Sequence, residues 1–133
     1  MPLQMPLKAA AFYAALHILL LVVLTGLVIR RRRSQLIGIG DGGDKLMMRL
    51  IRVHGNAAEQ AAPNLALLIL MGLLAAPVWS VHLFGFISLA GRVLHAFGLS
   101  QSAGGSLGRV SGMVLTLNCL IIGALGLIVL AFL

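Results

Sequence analysis

Long apolar segments alternate with short polar connections along the whole chain. A helix needs about 20 predominantly apolar residues to cross a bilayer. The pattern predicts four such spans, at roughly residues 7–29, 57–76, 81–99 and 109–132, with an amphipathic stretch from about residue 44 leading into the second. Because backbone polar groups in lipid must be paired within the protein, we predict an all-α, integral membrane four-helix bundle.

Composition points to one membrane domain. Of the 133 residues, 60% are hydrophobic and only 10% are charged, whereas soluble domains carry about a quarter charged residues. The length fits a single domain, taken as residues 1–133. The first span is too long and too poorly flanked for a cleaved signal peptide. Cys119 is the single cysteine, so an intrachain disulfide is excluded and a packing role is expected.

The charges predict an orientation. The formal net charge is +7, and the connection at residues 77–80 has no formal charge. The positive-inside rule therefore places the first and third connections in the cytoplasm and both termini on the opposite side, in the inner membrane if the source is bacterial. The basic residues that border the first connection are Arg30, Arg31, Arg32, Arg33, Lys45, Arg49 and Arg52.

Several other uses of the polar residues are not favoured. The arginines lie at membrane edges without interleaved aromatic residues, which favours topology and anionic-lipid contact over nucleic-acid binding. Residues 37–45 lack the preceding strand and the spacing of a phosphate-binding loop, so we predict a flexible connector in which Asp44 caps the next helix. His54 and His95 lack a third ligand at metal-site spacing. His17 is expected to contact another helix more readily than to bind a ligand or proton.

The second predicted helix carries a polar face. Five residues of this helix follow steps of three or four positions, namely Arg49, Arg52, Asn56, Glu59 and Pro63, and such positions share one side of a helix. Arginine suits carboxylates, asparagine both donates and accepts, and glutamate can accept from an ammonium group. This face could hold a small zwitterion with acidic and amino groups. A network that only locks helix packing is the open alternative.

The pattern Arg52-x-His54-x-Asn56-x-x-Glu59-x-x-x-Pro63 resembles the signature of the membrane-associated proteins in eicosanoid and glutathione metabolism. Its spacing is similar to that of microsomal glutathione transferase and prostaglandin E synthase, and the resemblance covers about residues 12–130. Supporting matches are Thr25-Gly26 before the arginine run, Arg92-Val93-Leu94-His95 and Arg109. The chain departs from the family pattern at Gly55, Gln60 and Leu99, where members often carry larger, charged or tyrosine side chains.

The resemblance implies a homotrimer of four-helix subunits, with glutathione bound between neighbours toward the cytoplasmic side. It assigns the tripeptide contacts to Arg52, Asn56 and Glu59. One of the run Arg30 to Arg33, taken as Arg30, would hold a glutathione carboxylate from the neighbouring subunit. The resemblance further implies that Arg92 and His95 line the site and that Arg109 polarises the thiol.

Three functions follow in order of preference. The first is a membrane glutathione transferase or peroxidase that acts on lipophilic electrophiles or lipid hydroperoxides. The second is a non-catalytic protein of the same fold that binds glutathione or serves as a scaffold. A small transporter or channel comes third, because polar residues concentrate at one membrane edge rather than through all spans.

Overall fold

The computed structural model describes residues 4–102 and 104–132. Within these ranges the chain forms four helices and no strand, which confirms the all-α prediction. The first two helices extend beyond their apolar segments, because arginine and lysine are good helix formers and can continue a helix into the polar region. The helices are α1 (Met5–Ser34), α2 (Lys45–Leu73), α3 (Val78–Gln101) and α4 (Leu107–Leu130).

The connection between α1 and α2 is built around Asp44. Its Oδ1 accepts a hydrogen bond from the backbone N–H of Met47 at 2.6 Å, so Asp44 caps α2 as predicted. Its Oδ2 lies 2.6 Å from Nη2 of Arg31, in the single ion pair of the described part of the chain. The hydrogen bond from Arg31, followed by that from Met47, holds the pKa of Asp44 below its ordinary value. The start of α2 is therefore tied to the end of α1.

The two middle helices form the centre of the bundle. Helices α2 and α3 each pack against the other three helices, whereas α1 and α4 lie at the periphery. Glycines allow α3 and α4 to approach closely: a Cβ on Gly112 would lie 2.5 Å from both the Gly91 carbonyl oxygen and the His95 nitrogen. Small residues are a common means of close helix packing in membranes. This contact holds the end of α3, with its polar residues, against the start of α4.

Three helices, α1, α3 and α4, are long and apolar enough to cross a membrane by length and composition. The second helix falls short of that composition because Glu59, Gln60 and Asn64 interrupt its apolar half. At about 1.5 Å per residue, its 29 residues are nevertheless as long as the other spans. The chain is an integral membrane bundle, in which α2 is the most polar helix.

Two single residues match their predicted packing roles. His17 is only 3% exposed, its Nδ1 donates to the Tyr13 carbonyl at 2.9 Å, and its Nε2 lies 3.4 Å from the Ser88 hydroxyl of α3. Cys119 is buried, and its thiol donates to the Phe84 carbonyl at 3.5 Å. Both residues therefore join helices inside the bundle.

Candidate functional site

A cavity of about 530 Å³ lies where α2 begins, α3 ends and α4 begins. Its volume is in the range of small-molecule sites, about 300–1,000 Å³. The wall carries three guanidinium groups, one imidazole and one amide, but no carboxylate. We call this space the arginine cavity. Its polar lining residues are Arg49, Arg52, Asn56, His95 and Arg109, and its apolar ones are Met48, Leu99, Val110, Met113 and Val114.

A buried arginine lies behind the arginine cavity and fixes the orientation of one side chain that lines it. Arg92 is only 2% exposed. Its Nε donates to the Thr116 hydroxyl of α4 at 3.0 Å, and its Nη1 donates to Oδ1 of Asn56 at 2.9 Å. Because the Asn56 carbonyl accepts from Arg92, its amide NH₂ is the group left for the cavity. Arg92 therefore connects three helices and sets the direction of the Asn56 side chain.

No carboxylate among the described residues pairs with Arg92. Its Nη2 is buried and has no hydrogen-bond partner among the described residues. A buried charge without a partner is costly, and such groups are concentrated at functional sites. The site therefore has an excess of positive charge both in its wall and behind it.

His95 is held in one tautomer. Its ring Nδ1 lies 2.9 Å from the backbone carbonyl oxygen of Arg109. Because a carbonyl oxygen only accepts, Nδ1 must carry the proton, which leaves Nε2 as an acceptor. His95 thus joins the end of α3 to the start of α4 and offers an acceptor nitrogen at the cavity wall.

Arg109 is held in the first turn of α4. The Ser106 hydroxyl caps this turn by accepting from the Arg109 backbone N–H at 3.3 Å. The half-buried side chain of Arg109 lines the arginine cavity, and its Nη1 also donates to the Gly104 carbonyl at 3.3 Å. The guanidinium is therefore positioned by the third connection, at the place where α4 enters the bundle.

Three predicted site residues do not line the arginine cavity, and the first of them, Arg92, is buried behind it. Glu59 is exposed on α2, and Arg30 is exposed near the end of α1. Within the arginine run, Arg31 pairs with Asp44 and Arg32 donates to two loop carbonyls. Arg30 and Arg33, which are both exposed, are therefore the members best placed to meet an external ligand.

Arg49 lines the arginine cavity. Its spacing from Arg52 predicts a place on the same polar face of α2, but the predicted ligand contacts do not include it. His54, by contrast, turns toward α1, where its Nε2 lies 3.0 Å from the Thr25 hydroxyl. Within the family-like pattern, the side chains of Arg52 and Asn56 reach the cavity and that of His54 joins two helices.

Comparison with known proteins shows the family of this chain. The sequence model of the MAPEG family matches residues 10–129. The chain belongs to the MAPEG family. It is 38% identical to the inner membrane protein YecN of Escherichia coli K12 over 89 residues, or 67% of this chain and 68% of YecN. YecN of E. coli O6:H1 strain CFT073 gives the same identity and coverage. The resemblance drawn from the second-helix pattern is confirmed.

This MAPEG chain has a second, apolar cavity of about 620 Å³ in the other half of the bundle. It lies between the end of α2, the start of α3 and most of α4, and we call it the apolar cavity. Along α4 the arginine cavity ends at Val114 and the apolar cavity begins at Leu115. In this chain a cationic space and an apolar space therefore follow each other along α4.

Proposed function

We propose that this MAPEG protein binds glutathione at the arginine cavity and activates its thiol for attack on lipophilic electrophiles or lipid hydroperoxides. The observation that carries the proposal is the convergence of Arg52, Asn56 and Arg109 from two helices on one cavity without a carboxylate in its wall. Glutathione carries two carboxylates and a thiol that becomes anionic when activated. Its charge complements that of the cavity.

Activation of the thiol requires only a nearby positive charge. A thiol with a pKa of about 8.5 is mostly neutral at pH 7, and an adjacent cation favours the reactive thiolate. Arg109 is our candidate for this role, because the third connection holds its guanidinium at the cavity wall. Arg92 and His95 shape the same wall through Asn56 and the start of α4. Positioning and electrostatic stabilisation would then supply most of the catalysis.

A homotrimer completes the proposed site. Glu59 is exposed on a helix of a membrane bundle, and ionisable groups at membrane depth are costly when they face lipid. A neighbouring subunit that covers this face would remove Glu59 from lipid and bring its own Arg30 toward the ligand. Glu59 would then accept from the glutathione ammonium group, while Arg30 would bind one carboxylate. The MAPEG context supports this assembly.

The site would lie at the cytoplasmic side, with both termini on the other side. The arginine cavity is at the same end of the bundle as the arginine-rich first connection, which the positive-inside rule places in the cytoplasm. Water-soluble glutathione would enter from that side. The lipophilic co-substrate would enter from the bilayer, along the α4 surface that also forms the apolar cavity.

The decisive test is the ultraviolet absorbance of the glutathione thiolate on mixing glutathione with purified protein in detergent. We expect a stoichiometric absorbance increase at neutral pH, which is reduced in Arg52→Ala. Lys8→Ala removes an exposed charge near the N-terminal end of α1 and serves as the matched control. Unchanged binding in a folded Arg52→Ala variant would instead support the packing-network interpretation of the α2 face.

One observation favours the non-catalytic alternative. Leu99 lines the arginine cavity at a position where some family members have a site tyrosine, so this wall lacks a hydroxyl donor. A protein that binds glutathione without lowering its pKa would show calorimetric heat but no thiolate absorbance. That result would assign this chain to glutathione binding rather than to transfer or peroxide reduction.

A further inference from the structure

The connection between α1 and α2 is a folded turn that presents two apolar side chains outward. Nη1 of Arg32 donates to the Ile37 carbonyl oxygen at 3.3 Å. The Ile37 side chain packs inward, because a Cβ on Gly42 would lie 2.9 Å from its Cγ1. Leu36 and Ile39, by contrast, are 93% and 92% exposed. The turn therefore has one inner apolar side chain and two outer ones.

Leu36 occupies a backbone position at the end of α1 that usually carries glycine. Its φ is +54°, in the left-handed region that disfavours residues with a Cβ. The Ile37 N–H donates to the Arg32 carbonyl at 3.0 Å. The Leu36 N–H donates to the Arg33 carbonyl at 3.3 Å, which completes a Schellman motif, where glycine is the usual residue. Glycine would remove both the backbone strain and an exposed apolar side chain, so leucine is better explained by a contact that lies outside the chain.

The turn lies at the level of the lipid headgroups. The last apolar residue of the first predicted span is Ile29, and α1 ends five residues later at Ser34. Five helical residues rise about 7.5 Å, and the headgroup layer extends about 5–7 Å beyond the hydrocarbon on each side. Amphipathic segments bury their apolar side chains at this depth. The edge of the hydrocarbon is therefore within reach of the two outer side chains of the turn.

The same segment carries an excess of positive charge. Residues 30–45 contain five basic and two acidic side chains, a formal net charge of +3. The exposed residues Arg33 and Lys45 have no carboxylate partner among the described residues. Lys45 directly follows Asp44, so the ion pair of Asp44 with Arg31 holds Lys45 beside the end of α1. Each such charge near a membrane favours anionic lipid by about fivefold.

We propose that this surface, formed by Arg33, Leu36, Ile39 and Lys45 and called the basic turn, binds anionic phospholipid. Leu36 and Ile39 insert at the edge of the hydrocarbon, and Arg33 and Lys45 contact the phosphate groups. A lipid surface satisfies both the apolar and the charged side chains, whereas a soluble phosphate satisfies only the charged ones. The basic turn lies outside the arginine cavity, so it would bind lipid whether or not glutathione binds to the protein.

The test places one tryptophan on the basic turn and uses bromine atoms on the lipid chains as contact quenchers of its fluorescence. Leu36→Trp is made in a Trp79→Phe background, which removes the single native tryptophan. Two sets of nanodiscs contain the same mixture of phosphatidylcholine and phosphatidylglycerol. In each set an equal fraction of all lipid molecules is brominated, on one lipid or on the other. We expect phosphatidylglycerol to be preferred at the tryptophan at least about tenfold, from two charges worth about fivefold each.

Charge variants identify the source of this preference. Arg33→Gln and Lys45→Gln should each lower it about fivefold, and about 1 M salt should bring it close to one, because the Debye length falls to about 3 Å. Lys8→Gln is the matched control, because it removes an exposed charge near the other end of α1, and it should leave the preference unchanged. Equal quenching by the two lipids, or a preference that survives in the Arg33→Gln/Lys45→Gln double variant, would overturn the proposal. Loss of the preference on addition of glycerol phosphate at constant ionic strength would reassign the site to soluble phosphate and also overturn it.

Leu36→Gly separates membrane insertion from a structural role. Because glycine relieves the left-handed strain, we expect the melting temperature in detergent to be unchanged or higher. The same substitution should reduce the bromolipid quenching of Ile39→Trp, a second probe that also replaces Leu36→Trp if that variant fails to fold. A lower melting temperature would show that Leu36 packs within the protein and would contradict the proposal.

A water-soluble quencher distinguishes the two other places that the turn could occupy. Strong quenching of the tryptophan by iodide, with none by brominated lipid, would place the basic turn in water. Protection from both quenchers would place it against a neighbouring subunit. Either result would overturn lipid binding at this surface.

Discussion

Substitution of Asn56 by aspartate should raise stability and lower glutathione affinity at the same time. Arg92 donates to Oδ1 of Asn56 at 2.9 Å, and no carboxylate of residues 4–102 or 104–132 pairs with it. Asn56→Asp preserves the size of the side chain and supplies the missing negative charge. The same change removes the amide NH₂ that we place at the cavity and sets a carboxylate beside an anionic ligand.

The expected changes in stability and affinity follow from the change in the hydrogen bond between Arg92 and residue 56. The Arg92–Asn56 bond already has an ionised donor and contributes about 1.5–3 kcal/mol. Asn56→Asp adds the attraction between two opposite charges, about 4 kcal/mol at 4 Å and an effective dielectric constant of 20. Part of the added attraction is offset by desolvation of the new carboxylate, so we expect a net gain of about 1 kcal/mol. A gain of this size raises the melting temperature by a few degrees. Glutathione affinity should fall at least about tenfold, or about 1.4 kcal/mol.

Thermal unfolding in detergent and calorimetric titration measure the two effects, and a double-mutant cycle isolates their cause. In an Arg92→Met background, Asn56→Asp should lose its stabilising effect, because the guanidinium is absent. Arg92→Met alone should cost about 1–3 kcal/mol, because it removes the donors to Asn56 and Thr116. Destabilisation by Asn56→Asp, or a gain that persists in the Arg92→Met background, would refute the role given to this pair.

Three further predictions concern charge and orientation. Asp44→Asn keeps the helix cap but removes the ion pair with Arg31. Because the pKa of Asp44 is lowered in the folded protein, the wild type should be more stable than Asp44→Asn above about pH 3.9. Melting curves should show that this advantage disappears as the pH falls through the folded pKa. Arg109→Leu should raise the apparent pKa of bound glutathione, so that turnover of a small aromatic electrophile falls near neutral pH and partly recovers at higher pH, and a wild-type pH–rate profile would exclude Arg109 from the chemistry. Cysteines introduced at Gly40 and Ser80 should be labelled from the cytoplasmic and the opposite side, respectively, and outside labelling at Gly40 would overturn the orientation.

Helical periodicity accounts for the part of the site that could be predicted. Arg52 and Asn56 are four residues apart, and the structure places both at the arginine cavity. Their shared face follows from the geometry of one helix. Glu59 belongs to the same face by spacing, yet it lies beyond the cavity, because α3 and α4 enclose only the first turns of that face. How far a neighbouring helix reaches is not encoded in the spacing of one segment.

The contacts between helices could not be predicted in the same way. Arg92 joins Asn56 and Thr116, which lie 36 and 24 residues away in the chain. These contacts depend on where α3 crosses its neighbours. The close approach of the α3 and α4 backbones at Gly91 and Gly112 sets that crossing point. Sequence pattern identifies Arg92 as a site residue only through family resemblance. The structure adds the reason, which is that Arg92 sets the direction of the Asn56 amide.

The distribution of charge connects the stability of the protein to its function. The ionic partner of Asp44 is Arg31, whereas Arg49 and Arg92 retain buried donor atoms without partners in the described structure. Such groups oppose folding, and natural proteins tolerate them mainly where function requires them. An anion that binds the folded protein but not the unfolded chain recovers this free energy, by about 2.7 kcal/mol at a concentration one hundred times its Kd. The same unbalanced guanidinium groups that weaken the empty bundle would therefore give it affinity for an anionic ligand.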